Sequence, residues 1–480
     1  MKPPFLRLFS EEEIWNVFHT SLKILEQTGM VVDHEVARQM LEAAGAVVDH
    51  DNKLVKFPPD LVKAKLKLVP KEMPYHGLTP DFDAVLEVDG EIYSRVAGGT
   101  TGYIDLGTGK YRRALKKDWE EFVTISDALP SICSIATMHV GDVPGKTADL
   151  HSFHVLLTKQ RKCVVHNAFN LRNMDYLIEM AIAVAGSKEL LKERPFYHHM
   201  LSPISPLFLN EDDTAQLLLA CEYGIPTDMP IMPTTGTTGP ITLAGLLALA
   251  NAEFLGTMTL AQIARPGHIM PFFLDPVVAD LKSGSTLFAA PEVGLLCAGI
   301  SQLGYDVYQL PSEGIGLASD GFTVEQALFQ KAQNTIFQVM AGGKLVIGAG
   351  FVESDMALSP TQLVIDDEIM NIAKRWLKGI RVDKDTLASE VIHKVGPRSH
   401  FLSEYHTIKY MRAGELMSTK IFERDRRDIW EMKGSKTQEQ KAREIGLSIL
   451  ENHHVPSLPT HVEKELSNIL AIADKELTNS

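Results

Sequence analysis

Cysteine is scarce and scattered. The 480-residue chain has four, Cys133, Cys163, Cys221 and Cys297, and no CxxC, so neither a disulfide framework nor a thiolate-rich metal site can be read from them. Cys133 and Cys163 lie inside apolar, β-branched runs, where a buried small hydrophobe is the expected role. Positive charge is also short. Lys and Arg total 47 against 61 Asp and Glu, a net charge of −14, which is the wrong sign for a phosphate-binding surface. The densest basic stretch, 420–436, is broken by Glu423, Asp425, Asp428 and Glu431 and reads as a solvated helix surface. No uncharged apolar run reaches about 18 residues, so no membrane span is expected. The opening MKPPFLRLFSEEEIW lacks the long apolar segment of a secretory leader. These absences predict a cytoplasmic protein whose partners are neither nucleic acid nor membrane. Signature motifs are missing too. There is no GxGxxG, GxxxxGK[ST], HExxH or GxSxG, and without the Walker lysine an NTPase is disfavoured.

What is present is an ordinary globular composition, 45% hydrophobic and 22% charged, with a clear rhythm. Ser10 and Glu13 form a capping-box pattern, and Ile14, Phe18, Leu22 and Leu25 follow at helical spacing. The stretch FDAVLEVDGEIYSRV alternates and turns at Asp89-Gly90, which predicts a hairpin. Residues 1–115 thus read as an N-terminal α+β cap. From 116 onward, short apolar strands alternate with helices. Strands are expected at 132–140, 162–167, 196–201, 229–235, 268–274, 305–311 and 344–350. Seven such units predict an α/β fold with a parallel sheet. A TIM (β/α)8 barrel fits better than an open doubly wound sheet, whose phosphate fingerprint is absent. The eighth strand is sought near 380–402, within a helical C-terminal section. The expected division is a cap at 1–115 and a barrel with its helical tail at 116–480.

Active sites of such barrels sit at the C-terminal ends of the strands. The expected strand ends supply His139 and Asp142, His166 and Asn167, Phe272, Phe273 and Asp275, Tyr308, Gln309, Ser312 and Glu313, and Phe351 and Glu353. The Thr234–Gly239 loop, TTGTTGP, could aim N–H groups at an anion or be a plain turn. His139 and His166 could contribute to a zinc site or be hydrogen-bonded structural histidines. Phe272, Phe273, Tyr308 and Phe351, with Tyr103 descending from the cap, could cage a quaternary ammonium; on spacing alone they read as core.

Several segments in this order carry a family resemblance. They are ILEQTGMVVD (24–33), VAGGTTGYIDLGTGKYR (96–112), SPISPL (202–207), TGTTGPITLAGLLALANAEFL (235–255), PEVGLLCAGISQLG (291–304), GAGFVESDMALSPTQLVIDDEI (348–369) and HTIKYMRAGELMSTKIFERD (406–425). The chain resembles the trimethylamine methyltransferase (MttB) family, and specifically its members that lack pyrrolysine. The family pattern places pyrrolysine near 311–320, where this chain reads PSEGIGLASD.

The resemblance implies a TIM barrel. It implies methyl transfer from a quaternary amine of the glycine betaine, proline betaine or carnitine type to the Co(I) of a cognate corrinoid protein, which docks over the barrel mouth. The cobalamin would be carried by that partner, with none bound tightly to this chain, and a homo-oligomer is expected. A quaternary ammonium leaves as a neutral tertiary amine, so no acid, base or metal is required of the chain, only orientation. On this reading the aromatic set becomes the cage. Tyr103, His139, Asp142, His166, Asn167, Phe272, Phe273, Tyr308, Gln309, Phe351 and Glu353 are the expected substrate-binding residues. A substrate carboxylate would go to Thr234–Gly239 or to His139, His166 and Asn167. The alternatives are a metal-dependent barrel enzyme and a non-catalytic betaine-binding protein.

Overall fold

In the computed structural model, which describes residues 5–478, eight parallel strands form the central sheet. They are β1 (Tyr93–Val96), β2 (Ile132–Ala136), β3 (Cys163–His166), β4 (Tyr197–Met200), β5 (Thr227–Asp228), β6 (Phe272–Phe273), β7 (Ser312–Gly314) and β8 (Leu345–Ala349). Each pairs with its sequence neighbour, and β8 returns to β1, with Leu345 opposite Tyr93. Between β5 and β6 the ladder is sparse. The Thr227 N–H donates to the Ile269 carbonyl at 3.0 Å and the Asp275 N–H to Ile231 at 2.8 Å. The chain is therefore a (β/α)8 barrel, as expected. Both faces of β2 and β8 are buried, as parallel strands covered by helices must be.

The missing strand lies upstream, not near 380–402, and inside the segment 1–115 read as cap. Tyr93–Val96 does not fold back as a hairpin; Ala84–Leu86 pairs instead with Met73–Tyr75. The polar pair Ser94 and Arg95 interrupts the apolar run that would have marked a barrel strand, yet both are buried. Two further shifts have local causes. The strand expected at 229–235 is only Thr227–Asp228 plus isolated pairings of Ile231 and Thr234, because Pro230 and Pro233 remove ladder donors. The stretch 305–311 is a π-helical turn, Gly304–Tyr308, that continues the helix Pro291–Leu303. The strand begins after it, at Ser312.

The remaining elements surround the barrel. Ser10 caps the helix Glu11–Gln27 in the predicted capping box, and that helix packs on Leu243–Ala264. The latter is long and apolar enough to cross a membrane by length and composition, but it lies mostly buried within the fold. The C-terminal helix Thr460–Thr478 returns to pack on Leu171–Ala185. Between them, the helices Ser389–Val395, Tyr405–Arg412 and Arg427–Met432 bury no residue.

Candidate active site

Two layers of charge occupy the barrel. The lower one is built on inward-facing strand residues. Arg95 of β1 donates to Asp228 of β5 at 2.9 Å and to Glu313 of β7 at 3.4 Å. Its guanidinium lies over the Phe273 ring of β6, 5.0 Å from the centroid. Tyr75 enters from the segment before β1 and bonds both carboxyl groups, Asp228 at 3.3 Å. All are sealed from solvent. Burial and the neighbouring Asp228 push the Glu313 carboxyl up to about 8. Burial opposes ionisation of Asp228, but Arg95, His198 and Tyr75 together outweigh it and hold that carboxyl below its ordinary value. The donor count closes the same way. With a proton, Glu313 donates to the Tyr75 hydroxyl, which in turn donates to Asp228.

The upper layer lies at the C-terminal mouth. Asp275 follows β6 and Asp355 follows β8. One carboxyl oxygen of each is buried with no hydrogen-bond partner. Burial, reinforced by the charge of Asp355, raises Asp275 well above the carboxylate range. Burial alone raises Asp355 to about 7. Glu353, Ser354 and Asp355 form a left-handed turn with φ of 60°, 52° and 69°, a conformation costing about 1–3 kcal/mol per non-glycine residue. Cross-loop bonds hold the turn. Ser354 donates from its N–H to the Ser319 carbonyl at 3.0 Å and from its hydroxyl to Asp320 at 2.8 Å. Asp320 also accepts from the N–H groups of Phe288 at 2.8 Å and Ala289 at 3.0 Å. After β1, Gly99 is left-handed, and a Cβ there would meet only the Asp355 carboxylate, 3.9 Å away. The next residue, Thr100, is fully buried with an unpartnered hydroxyl.

The expected site residues divide. His139 and Asn167 sit at the mouth after β2 and β3, each with a buried polar atom unpartnered, and burial lowers the His139 pKa. His166 is fixed otherwise. Its Nε2 lies 2.9 Å from the Asp149 carbonyl and must carry the hydrogen. Burial keeps the ring neutral, so Nδ1 is a lone pair and cannot donate to a carboxylate. Phe351 lies just past β8, packed on Phe288 at 5.4 Å.

The aromatic cage does not assemble. Phe272 points away from the barrel interior onto Phe254 and Tyr308, at 5.0 and 4.9 Å. Phe273 points inward, but Arg95 covers its face. Tyr308 precedes β7, so it lies at the opposite end of the barrel, and its hydroxyl donates to Asn251 at 2.7 Å. Gln309 beside it is left-handed, and its side chain bonds the Tyr305 carbonyl. Tyr103 is buried beneath Arg112, 5.3 Å from the ring centroid. Asp142 accepts from the Lys116 N–H at 2.8 Å and orients a helix start. Glu353 lines an outer cleft with Tyr111, Phe322 and Arg443. The Thr234–Gly239 loop is no anion nest. The N–H groups of Thr234, Thr235, Gly236, Thr237 and Gly239 are all spent on acceptors within the loop or on Val277.

Asp275 stood among the strand-end residues in the sequence, but nothing there marked it out. Glu313 stood there too, beside Gln309, while Asp355, Arg95, Asp228 and Tyr75 were not found at all. Asp355 lies two residues past Glu353 within the quoted GAGFVESD stretch, where chain position could not show the turn. Among the described residues, no group of three His, Cys, Asp or Glu side chains is arranged to hold a metal ion.

Fold and site together define a (β/α)8 barrel whose mouth carries two carboxyl groups, Asp275 and Asp355, each with an unpartnered oxygen. Comparison with known proteins gives the narrower placement: the chain belongs to the trimethylamine methyltransferase (MTTB) family, matched over residues 1–478. It is 29% identical to the trimethylamine methyltransferase MttB of Desulfitobacterium hafniense (strain DSM 10664 / DCB-2), over 98% of this chain and 94% of that protein. It is 28% identical to the glycine betaine methyltransferase of Desulfitobacterium hafniense (strain Y51), over 99% and 98%. Its fold resembles the crystal structure of the Methanosarcina barkeri monomethylamine methyltransferase (MtmB), with a TM-score of 0.52 at 11% identity, covering 93% of this chain and 95% of that one. The protein is a methyltransferase.

Proposed function

We propose that the protein moves a methyl group from a quaternary amine to the Co(I) of a corrinoid protein. The observation that carries this reading is the pair of unpartnered, buried carboxyl groups, Asp275 and Asp355, at the mouth of a barrel of this family. An ammonium placed there favours the ionised form of both carboxyl groups, in a site of low dielectric where charge interactions are stronger than in water. One N-methyl group then points outward. The acceptor supplies the nucleophile, and the departing nitrogen becomes a neutral tertiary amine, so no proton has to move. The chain's own work is to bind, orient and exclude water. Both named relatives act on methylated amines, and glycine betaine, proline betaine and carnitine belong to the same chemical class.

The acceptor needs a landing surface, and the mouth has an apolar rim. Phe169, Met232, Ile241, Leu281, Phe322 and Met356 stand on the loops after β3, β5, β6, β7 and β8, and Phe322 is 81% exposed. Grouped exposed apolar side chains mark interaction sites. The cobalamin would arrive with the partner, and a cytoplasmic location is part of the same proposal. Self-association is proposed through the exposed helices between 389 and 432, with Leu402 and Leu416 at 79% and 77% exposure; a monomer in sedimentation equilibrium would remove that part.

The test is a methyl-transfer assay read from the corrinoid spectrum, using the cognate partner protein in the Co(I) state. Conversion to methyl-cobalt(III) with a quaternary amine is expected. No conversion with trimethylamine, choline, glycine betaine, proline betaine or carnitine would refute the reading.

A further inference from the structure

The charge balance of the barrel narrows the substrate. In the lower layer Arg95 offsets Asp228 and Glu313 keeps its proton, so these three groups carry no net charge, and His198 stands 3.6 Å from Asp228 beside them. Asp275 and Asp355 then stand above it with no cation of their own. Apart from Asp355, the one charge resolved as acting on Asp275 is Arg95, which is already committed to Asp228 and Glu313. No charge is resolved as acting on Asp355, whose only cause of shift is burial. Asp275 is 7% exposed and Thr100 fully buried, and each leaves a polar oxygen without a protein partner. Buried polar groups are rarely left unmatched. Here the missing partner is positive.

A zwitterion cannot supply it. It brings no net charge and adds a carboxylate beside two carboxyl groups that burial already keeps from ionising readily. The basic side chain on the β2 rim, Arg113 against Gly141, is exposed, where water screens its charge. Five of the six N–H groups of the Thr234–Gly239 loop, all but that of Thr238, are spent, and His166 presents a lone pair. His139 and Asn167 can give only neutral hydrogen bonds, which orient an oxygen without cancelling its charge.

We infer that the methyl donor is a quaternary ammonium bearing a net positive charge and no ionised carboxylate, with Asp275 and Asp355 as its counter-charge. This rests on the methyl-transfer reading above and narrows the betaine-type substrate expected from the sequence. A cation carrying a hydroxyl uses both sides of the mouth: its nitrogen faces the two carboxylates, and its hydroxyl reaches His139 or Asn167.

The test is calorimetric binding to the intact protein at pH 7, without any acceptor, using choline, tetramethylammonium and glycine betaine. Both cations are expected to bind at least ten-fold more tightly than glycine betaine. Asp275→Asn and Asp355→Asn are each expected to weaken cation binding about ten-fold, while glycine betaine is unaffected or gains. Both changes are near-isosteric, and unaltered melting of either variant shows that its fold is intact. Equal or tighter binding of glycine betaine, or no measurable binding of the cations, overturns the inference. Preference for glycine betaine with methyl transfer intact removes this inference and leaves the proposed function standing. Cation binding with no transfer to any corrinoid protein does the reverse.

Discussion

Replacing Glu313 with Gln should stabilise the protein at alkaline pH and have little effect in acid. The Glu313 carboxyl titrates at about 8 in the folded chain against an ordinary 4.5. Between those two pH values the folded protein holds a proton that the unfolded chain has lost. Stability attributable to this group is therefore complete below pH 4.5 and falls as pH rises toward 8. Each pH unit of that interval is worth about 1.4 kcal/mol, which caps the loss at about 5 kcal/mol. Relaxation and water entry around the ionised group reduce it to about 2–4 kcal/mol. Gln cannot ionise, and its amide can donate to the Tyr75 hydroxyl as the protonated acid does. At roughly 2 cal/mol/K of unfolding entropy per residue, a chain of 480 residues shifts its melting midpoint by about 2–4 °C for such a gain. Thermal melts of both proteins at pH 5, 7 and 8.5 give the answer. The gap should open steadily with pH. A gap that is the same at every pH would refute a protonated Glu313 and with it the neutral lower layer.

Three further outcomes follow from particular contacts. Lys331→Met should cost about 3–5 kcal/mol in urea unfolding, because Lys331 donates to Asp366 at 2.8 Å and to the carbonyls of Leu317 and Gly348 at 2.6 and 3.0 Å, leaving a buried anion behind. Tyr308→Ala should cost about 3–5 kcal/mol of stability yet leave the folded protein's affinity for quaternary ammonium unchanged; a selective loss of binding would restore it to the site. Asp320→Asn should weaken that affinity by about 1.5 kcal/mol, since it loosens the turn presenting Asp355, and titration of the folded variant checks it.

The barrel was legible because apolar runs at or beside seven of its strands alternate with helices, as doubly covered parallel strands do, although β5 (Thr227–Asp228) and β7 (Ser312–Gly314) themselves are polar. The first strand was hidden by the site itself. Ser94 and Arg95 are polar because Arg95 serves the interior charge layer, so the residue that makes the strand informative also removed its apolar signature. The aromatics were misplaced for a related reason. Period-two alternation cannot say which face of a short strand points inward, and a two-residue strand such as Phe272–Phe273 sends one ring to each side. Tyr308 carried a second error, a π-helical turn read as a strand, which moved it to the wrong end of the barrel. Asp355 depends on three consecutive left-handed residues held by Asp320 and by the Ser319 carbonyl, and no local sequence rule predicts such a turn.

The two layers constrain each other. Arg95 is the charge that could have neutralised the mouth, yet Asp228 and Glu313 draw it downward, and Tyr75 closes the network from below. If Glu313 were absent or ionised differently, Arg95 could turn toward Asp275, and the pocket would lose its acidity before any ligand arrived. The lower layer thus acts on the substrate without touching it, by keeping the guanidinium occupied. The left-handed turn acts in the same sense, since its cross-loop bonds hold Asp355 where its charge raises the cost of ionising Asp275. That cost is relieved when a cation enters, so part of the binding energy is stored in the empty site. A permanently charged nitrogen collects it at any pH, whereas an amine that can lose its proton does so only below its own pKa.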